Sequence, residues 1–161
     1  MNIFKFAIEM ELDGLKYYME QAEVNKNNML YPVCQMMAKD EKNHVKILTE
    51  KMNNFDFQLI DSDTLSNAKN IFEGIGDIKS AIKEIPSQLD FYRIASKMKK
   101  KSIDIYKDLS SKTVDVNDKE IFDYLIIQDT QHFEVLNELD DLLRKSEEWV
   151  EFAEFGVRKE Y

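Results

Sequence analysis

The chain has 161 residues, of which 43% are apolar and 33% charged, with four glycines, two prolines and a formal net charge of −9. That length suits one domain with a core of its own, and so little Gly and Pro favours helices. The acidic balance excludes nucleic acid as a partner, since phosphates require a basic face, and argues against an anionic membrane surface. No run approaches the length of apolar residues that a membrane span needs, and Glu9 and Glu11 interrupt any signal-peptide core at the N-terminus. Cys34 is the one cysteine, so no intrachain disulfide and no Cys-x-x-Cys pair can form. A reducing, cytoplasmic setting is expected.

The first helix is expected over about 2–25, with a stripe of Ile8, Glu11, Leu15, Tyr18 and Ala22 at steps of three and four. The polar run Asn25-Lys26-Asn27-Asn28 is a short turn, so the second helix should fold back antiparallel on the first. That helix is expected over about 31–53, with Pro32 tolerated in its first turn. Its stripe is Leu30, Cys34, Met37, Glu41, His44 and Leu48. Glu41 and His44 are three positions apart and so share one face. That face is the apolar one, where an unpaired polar group costs several kcal/mol, roughly.

Residues 54–86 form a long crossover, long enough that the third helix need not run antiparallel to the second. Within it a short helix is expected from Thr64 to Phe72 and another from Asp77 to Ile85, with Pro86 barring continuation. The third helix is expected over about 87–112, with Phe91, Ala95, Met98 or Lys99, Ser102, Tyr106 and Leu109 on its stripe. The fourth, over about 118–146, has Phe122, Leu125, Asp129, His132, Leu136, Leu139 and Leu143. These elements make a domain over 1–146. The tail, 147–161, carries Trp149, Phe152 and Phe155 at steps of three, an aromatic edge for the helices or for a second subunit.

An internal repeat relates the two helix pairs. Ala7, Met10 and Tyr18 recur 88 positions later as Ala95, Met98 and Tyr106, and the same offset carries His44 to His132 and Leu48 to Leu136. It also places Glu41 on Asp129 and Glu11 on Lys99. Six polar residues therefore interrupt four apolar stripes: Glu11, Glu41, His44, Lys99, Asp129 and His132. Two hairpins packed face to face would bring them to one central layer.

These residues resemble the ferritin-like di-iron carboxylate proteins, most closely the rubrerythrin-like branch, in which two helices each give a Glu and two give a Glu-x-x-His. The resemblance covers about 2–53 and 87–146. It implies an all-α, ferritin-like four-helix bundle of two related hairpins with a long crossover between helices 2 and 3. Glu11, Glu41, His44 and His132 match ligand positions by type, and Asp129 matches by position with a shorter side chain. Lys99 stands where the family has a Glu. Tyr18 and Tyr106 follow positions 11 and 99 by seven residues, as in the family, and are expected behind the ligands. The Cys-rich rubredoxin-like module of full-length rubrerythrins is absent from this sequence.

The resemblance implies a metal-binding protein, with iron the expected metal and manganese or zinc the alternatives. It implies oxidoreductase chemistry on peroxide or oxygen and a homodimer. Carboxylate and imidazole ligands suit iron and manganese. Three carboxylates and one ammonium leave two negative charges beside neutral histidines, the balance for one divalent ion rather than two. With no metal and both histidines protonated the layer sums to zero. Three readings follow: a rubrerythrin-like centre of up to two metals, an altered centre holding one metal on Glu41, His44, Asp129 and His132 with or without Glu11, or a degenerate, metal-free bundle serving as a structural or interaction module. Tyr18, Tyr106 and Cys34 also have plain packing roles open to them.

Overall fold

The computed structural model describes residues 2–74 and 85–159, with side chains for 2–74 and 88–145. Every regular element among them is an α-helix: α1 (Ile3–Val24), α2 (Leu30–Met52), α3 (Thr64–Glu73), α4 (Ile85–Lys112) and α5 (Val116–Lys159). The short helix expected at Asp77–Ile85 lies mostly outside the described residues, as do the side chains of Trp149, Phe152 and Phe155. Two boundaries differ from expectation. Pro86 sits inside the first turn of α4, where its missing N–H has no intrahelical partner to lose. The segment expected to leave the helix after Ser146 instead continues α5 to Lys159, because no proline, and no glycine before Gly156, interrupts it.

Local chemistry sets the ends of the first pair. The Asn2 side chain accepts from the Phe4 and Lys5 N–H groups at 2.9 and 3.3 Å and starts α1. Buried Asn25 closes it, its side chain donating to the Gln21 carbonyl at 2.8 Å. Asn28 accepts from the Leu30 N–H at 2.8 Å and opens α2. The chain thus turns back within a few residues. Glu11 meets His44 and Gly14 faces Glu41, so α1 and α2 are antiparallel. In the same way Ser102 meets Asp129 and Tyr106 stacks on Phe122, so α4 and α5 are antiparallel. α3 lies against α5 and α2.

Two apolar clusters form. One gathers Tyr18, Leu30, Met37, Phe91, Leu136 and Leu139 with Phe72 of α3. The other gathers Ala7, Ile47, Leu48, Tyr106, Phe122 and Leu125. Each large side chain so buried contributes about 1.5–3 kcal/mol. Glu11 on α1, Glu41 and His44 on α2, Lys99 and Ser102 on α4, and Gln128, Asp129 and His132 on α5 fall between the residues assigned to the two clusters. The inward face of α1 differs by one position from its expected stripe: Ala7 and Gly14 are buried where Ile8 and Leu15 are half-buried. Hydrophobicity alone favours the larger neighbours, but at position 14 a Cβ would stand 3.1 Å from Glu41 Oε2, so glycine leaves room for that carboxylate.

α2 ends in a left-handed cap. Asn54 has φ 60°, its N–H reaches the Lys51 carbonyl at 3.1 Å, and the Phe55 N–H reaches Glu50 at 2.8 Å. Asparagine tolerates this conformation, whereas most L-residues pay roughly 1–2 kcal/mol. Asn54→Ala should therefore lower unfolding free energy by about 1 kcal/mol in urea titration, while Asn54→Gly leaves it equal or slightly higher.

Candidate metal centre

All six polar residues singled out from the sequence meet in one buried layer. Relative exposure is 2% for Glu11, 1% for Glu41, 0% for His44, 4% for Lys99, 0% for Asp129 and 1% for His132. α1 supplies Glu11, α2 the Glu41–His44 pair, α4 Lys99, and α5 the Asp129–His132 pair.

The layer has two unlike halves. In the first, Glu11 accepts from the Tyr106 hydroxyl at 2.6 Å on Oε1 and faces His44 Nδ1 at 3.3 Å on Oε2. The other ring nitrogen of His44 lies 3.2 Å from the Gln128 carbonyl oxygen. In the second, the Lys99 ammonium donates to Glu41 Oε1, and to Asp129 Oδ1 at 3.2 Å. Ser102 donates to the other Asp129 oxygen at 2.5 Å. His132 Nε2 meets Asp40 Oδ2 at 2.8 Å, and its Nδ1 lies 3.5 Å from Glu41 Oε1 without a hydrogen bond.

Burial and charge set the proton affinities. Burial pushes Glu11 up, neighbouring Glu41 adds to it, and the carboxyl is raised to about 8. Burial opposes a proton on His44, but the Glu11 carboxylate outweighs it and raises the imidazole to about 9. Burial would raise Glu41, yet Lys99 holds it well below the usual carboxylate range. Burial would strip Lys99, yet Asp129 and Glu41 keep it charged far into the alkaline range. Burial, followed by the charge of Glu11, pushes Tyr106 well up.

The repeat makes the asymmetry legible. The counterparts of Tyr106 and His44, the two donors on Glu11, are Tyr18 and His132, and the counterpart of Glu11 is Lys99. The Tyr18 hydroxyl and His132 Nδ1 are both buried without a hydrogen-bond partner. The two atoms left unpaired are therefore those whose equivalents bind the carboxylate that position 99 lacks. Lys99 instead places its ammonium 5.5 Å from the centre of the Tyr18 ring.

Asp40, Gln128 and Gly14 are not evident from the stripes, and Ser102 lies on its stripe without being singled out; the same offset relates the four in pairs. Asp40 and Gln128 are repeat equivalents, and each faces the ring nitrogen of the opposite motif's histidine. Asp40 also accepts from Thr64 at 2.6 Å and from Ser62 at 2.8 Å on its Oδ2 atom, tying the crossover to the layer. Gly14 and Ser102 are equivalents as well. A Cβ at Gly14 would stand 3.1 Å from Glu41 Oε2. The longer Glu41 thus faces a glycine, and the shorter Asp129 faces a serine that fills the difference.

A cleft of about 280 Å³ between α1 and α4 reaches the layer, with Glu11, Gly14, Glu41, Lys99 and Ser102 among its walls and the exposed Glu9 and Asp13 also lining it. Two groups of side chains could hold a cation, Glu11–His44–Asp129 and Glu41–Asp129–His132, with ligand atoms within 4.8 Å of one another in each. The first fits a metal by the chemistry of its donors. The second already has an ammonium on two of its three members. As a pair of metal positions the residues do not fit.

The two tyrosines give a direct contrast. Tyr106→Phe removes a donor from buried Glu11 and should cost about 1–3 kcal/mol of stability. Tyr18→Phe removes a hydroxyl that has no partner and should cost less than about 0.5 kcal/mol, or stabilise. Urea denaturation of both variants checks this.

A family model for rubrerythrin matches residues 2–140. No curated protein and no solved structure matches the chain. With the helical fold, the buried carboxylate–histidine layer and a match across most of its length, this chain belongs to the rubrerythrin family.

Proposed function

We propose that this protein binds iron in its buried layer and acts as an oxidoreductase on peroxide or oxygen, within a four-helix bundle built of two related hairpins joined by the 54–86 crossover. The observation that carries the reading is the convergence of three carboxylates and two histidines from α1, α2 and α5 in one buried layer, which an open cleft reaches at Glu11 and Glu41. Family membership supplies the metal class, and the donor set is one that iron, manganese and zinc all accept.

Glu11, His44 and Asp129 would hold the ion. Bound there, iron would supply one-electron redox chemistry next to the cleft. The chain's own residues do the rest. Tyr106 fixes the Glu11 carboxylate from behind. Asp40 keeps the proton of His132 on Nε2, so that Nδ1 turns its lone pair into the layer. Lys99 and Ser102, on the cleft wall, hold Asp129 in place through both its oxygens. Burial excludes bulk water, which strengthens each of these electrostatic contacts.

A second reading has its own support. Lys99 satisfies Glu41 and Asp129, and Tyr106 and His44 satisfy Glu11, so the layer can close its charges without a metal and serve as a structural or interaction module. Metal analysis of protein purified without chelators separates the two. The metal reading expects iron, manganese or zinc in the isolated protein and at least a tenfold loss of content at limiting metal in Glu11→Gln. An absence of bound metal after anaerobic incubation with ferrous ion would sink it. Peroxide consumption by the loaded protein then tests the oxidoreductase step.

A further inference from the structure

We infer that the Lys99 ammonium is the second cation of this centre, tethered to α4 in the place between Glu41, Asp129 and His132 that a second metal would take. The inference rests on the reading of the layer as a metal centre and adds to it a stoichiometry and a cause.

Three observations carry it. The two candidate ligand groups share Asp129, and the Lys99 ammonium bonds two members of the second group and none of the other two members of the first. A divalent ion brought to the second group would face that ammonium at contact distance, and like charges in a buried site repel strongly. The unpaired atoms point the same way. Tyr18 Oη and His132 Nδ1 are buried without hydrogen bonds, while their repeat equivalents both bind Glu11. A carboxylate at position 99 would restore an acceptor for the Tyr18 hydroxyl and a ligand beside the His132 lone pair. Finally, the surroundings of the ammonium are shaped to it. Asp129 is shorter than its counterpart Glu41, and Ser102, where α1 has Gly14, fills the space and bonds the carboxylate oxygen that Lys99 leaves.

The chain therefore holds a permanent positive charge where a two-metal protein holds an exchangeable one. Its centre has room for one ion, at Glu11–His44–Asp129. A lone ion supplies one-electron steps and lacks a neighbouring metal to share a two-electron change.

The test is a count of bound ions in wild type and in Lys99→Glu. Each protein is equilibrated anaerobically with manganous ion, desalted, and analysed for metal per folded chain, with electron paramagnetic resonance distinguishing isolated from coupled ions. The expected result is one isolated ion in wild type and two coupled ions in Lys99→Glu. Two ions in wild type, or an unchanged count of one in Lys99→Glu, overturns the inference and leaves the metal-centre reading standing. No ion in wild type but binding in Lys99→Glu overturns the metal reading of the natural chain and supports the place given to Lys99. No ion in either overturns both. Should Lys99→Glu lose its helical circular dichroism, Lys99→Gln carries the same test. It keeps a polar side chain without the charge, and a second ion at least tenfold weaker than the first is expected. A count of one there overturns the inference.

Discussion

The salt bridges from Lys99 to Glu41 and Asp129 constrain this fold more tightly than any apolar contact. Three charges are taken out of water together, and removing any one partner leaves another buried and uncompensated, at a cost of about 3–5 kcal/mol. Because those partners come from α4, α2 and α5, the pairing ties the first helix pair to the second. Tyr106 to Glu11, His44 to Gln128 and His132 to Asp40 cross between the pairs in the same layer. The apolar clusters on either side supply most of the stabilisation, but hydrophobic contact is non-directional. A slip of α4 by one turn would break the charge pairs outright while only rearranging the apolar ones.

The two halves of the chain differ around this layer in matched ways. Glu41 faces Gly14, whereas Asp129 faces Ser102, so the shorter carboxylate stands opposite the larger residue. His132 has a carboxylate behind it in Asp40, and His44 has the neutral amide of Gln128. Glu11 keeps two donors. Position 99 holds a cation where position 11 holds an acceptor, and the hydroxyl of Tyr18 and Nδ1 of His132 are without partners. One half pairs a carboxylate with a histidine and a tyrosine, and the other is organised around an ammonium. This matters for function because the charge a buried site carries decides how many divalent ions it can hold.

Much of this is legible in residue order. Steps of three and four mark α2, α4 and α5 correctly. The stripe of α5, from Phe122 to Leu143, is buried at every position named. One offset of 88 is enough to bring the six polar residues to a common level. Where expectation and fold part, a small residue or a helix end is involved. Gly14 faces inward instead of Leu15 because close approach to Glu41, not hydrophobicity, governs that position. α5 continues past Ser146 because a stretch without proline ends only where packing or capping ends it.

What the sequence determined by itself was the four long helices and α3, the repeat and six members of the polar layer, since periodicity and spacing are properties of order along the chain. What only the tertiary structure decided was which groups pair. Lys99 could have turned to solvent on its flexible stem; instead it spans Glu41 and Asp129. Asp40, one residue from Glu41, could have been a surface acid; instead it meets His132 from the other hairpin and two hydroxyls of the crossover. Pairing in a buried layer depends on distance and direction in three dimensions, and on the cost of leaving any charge there alone.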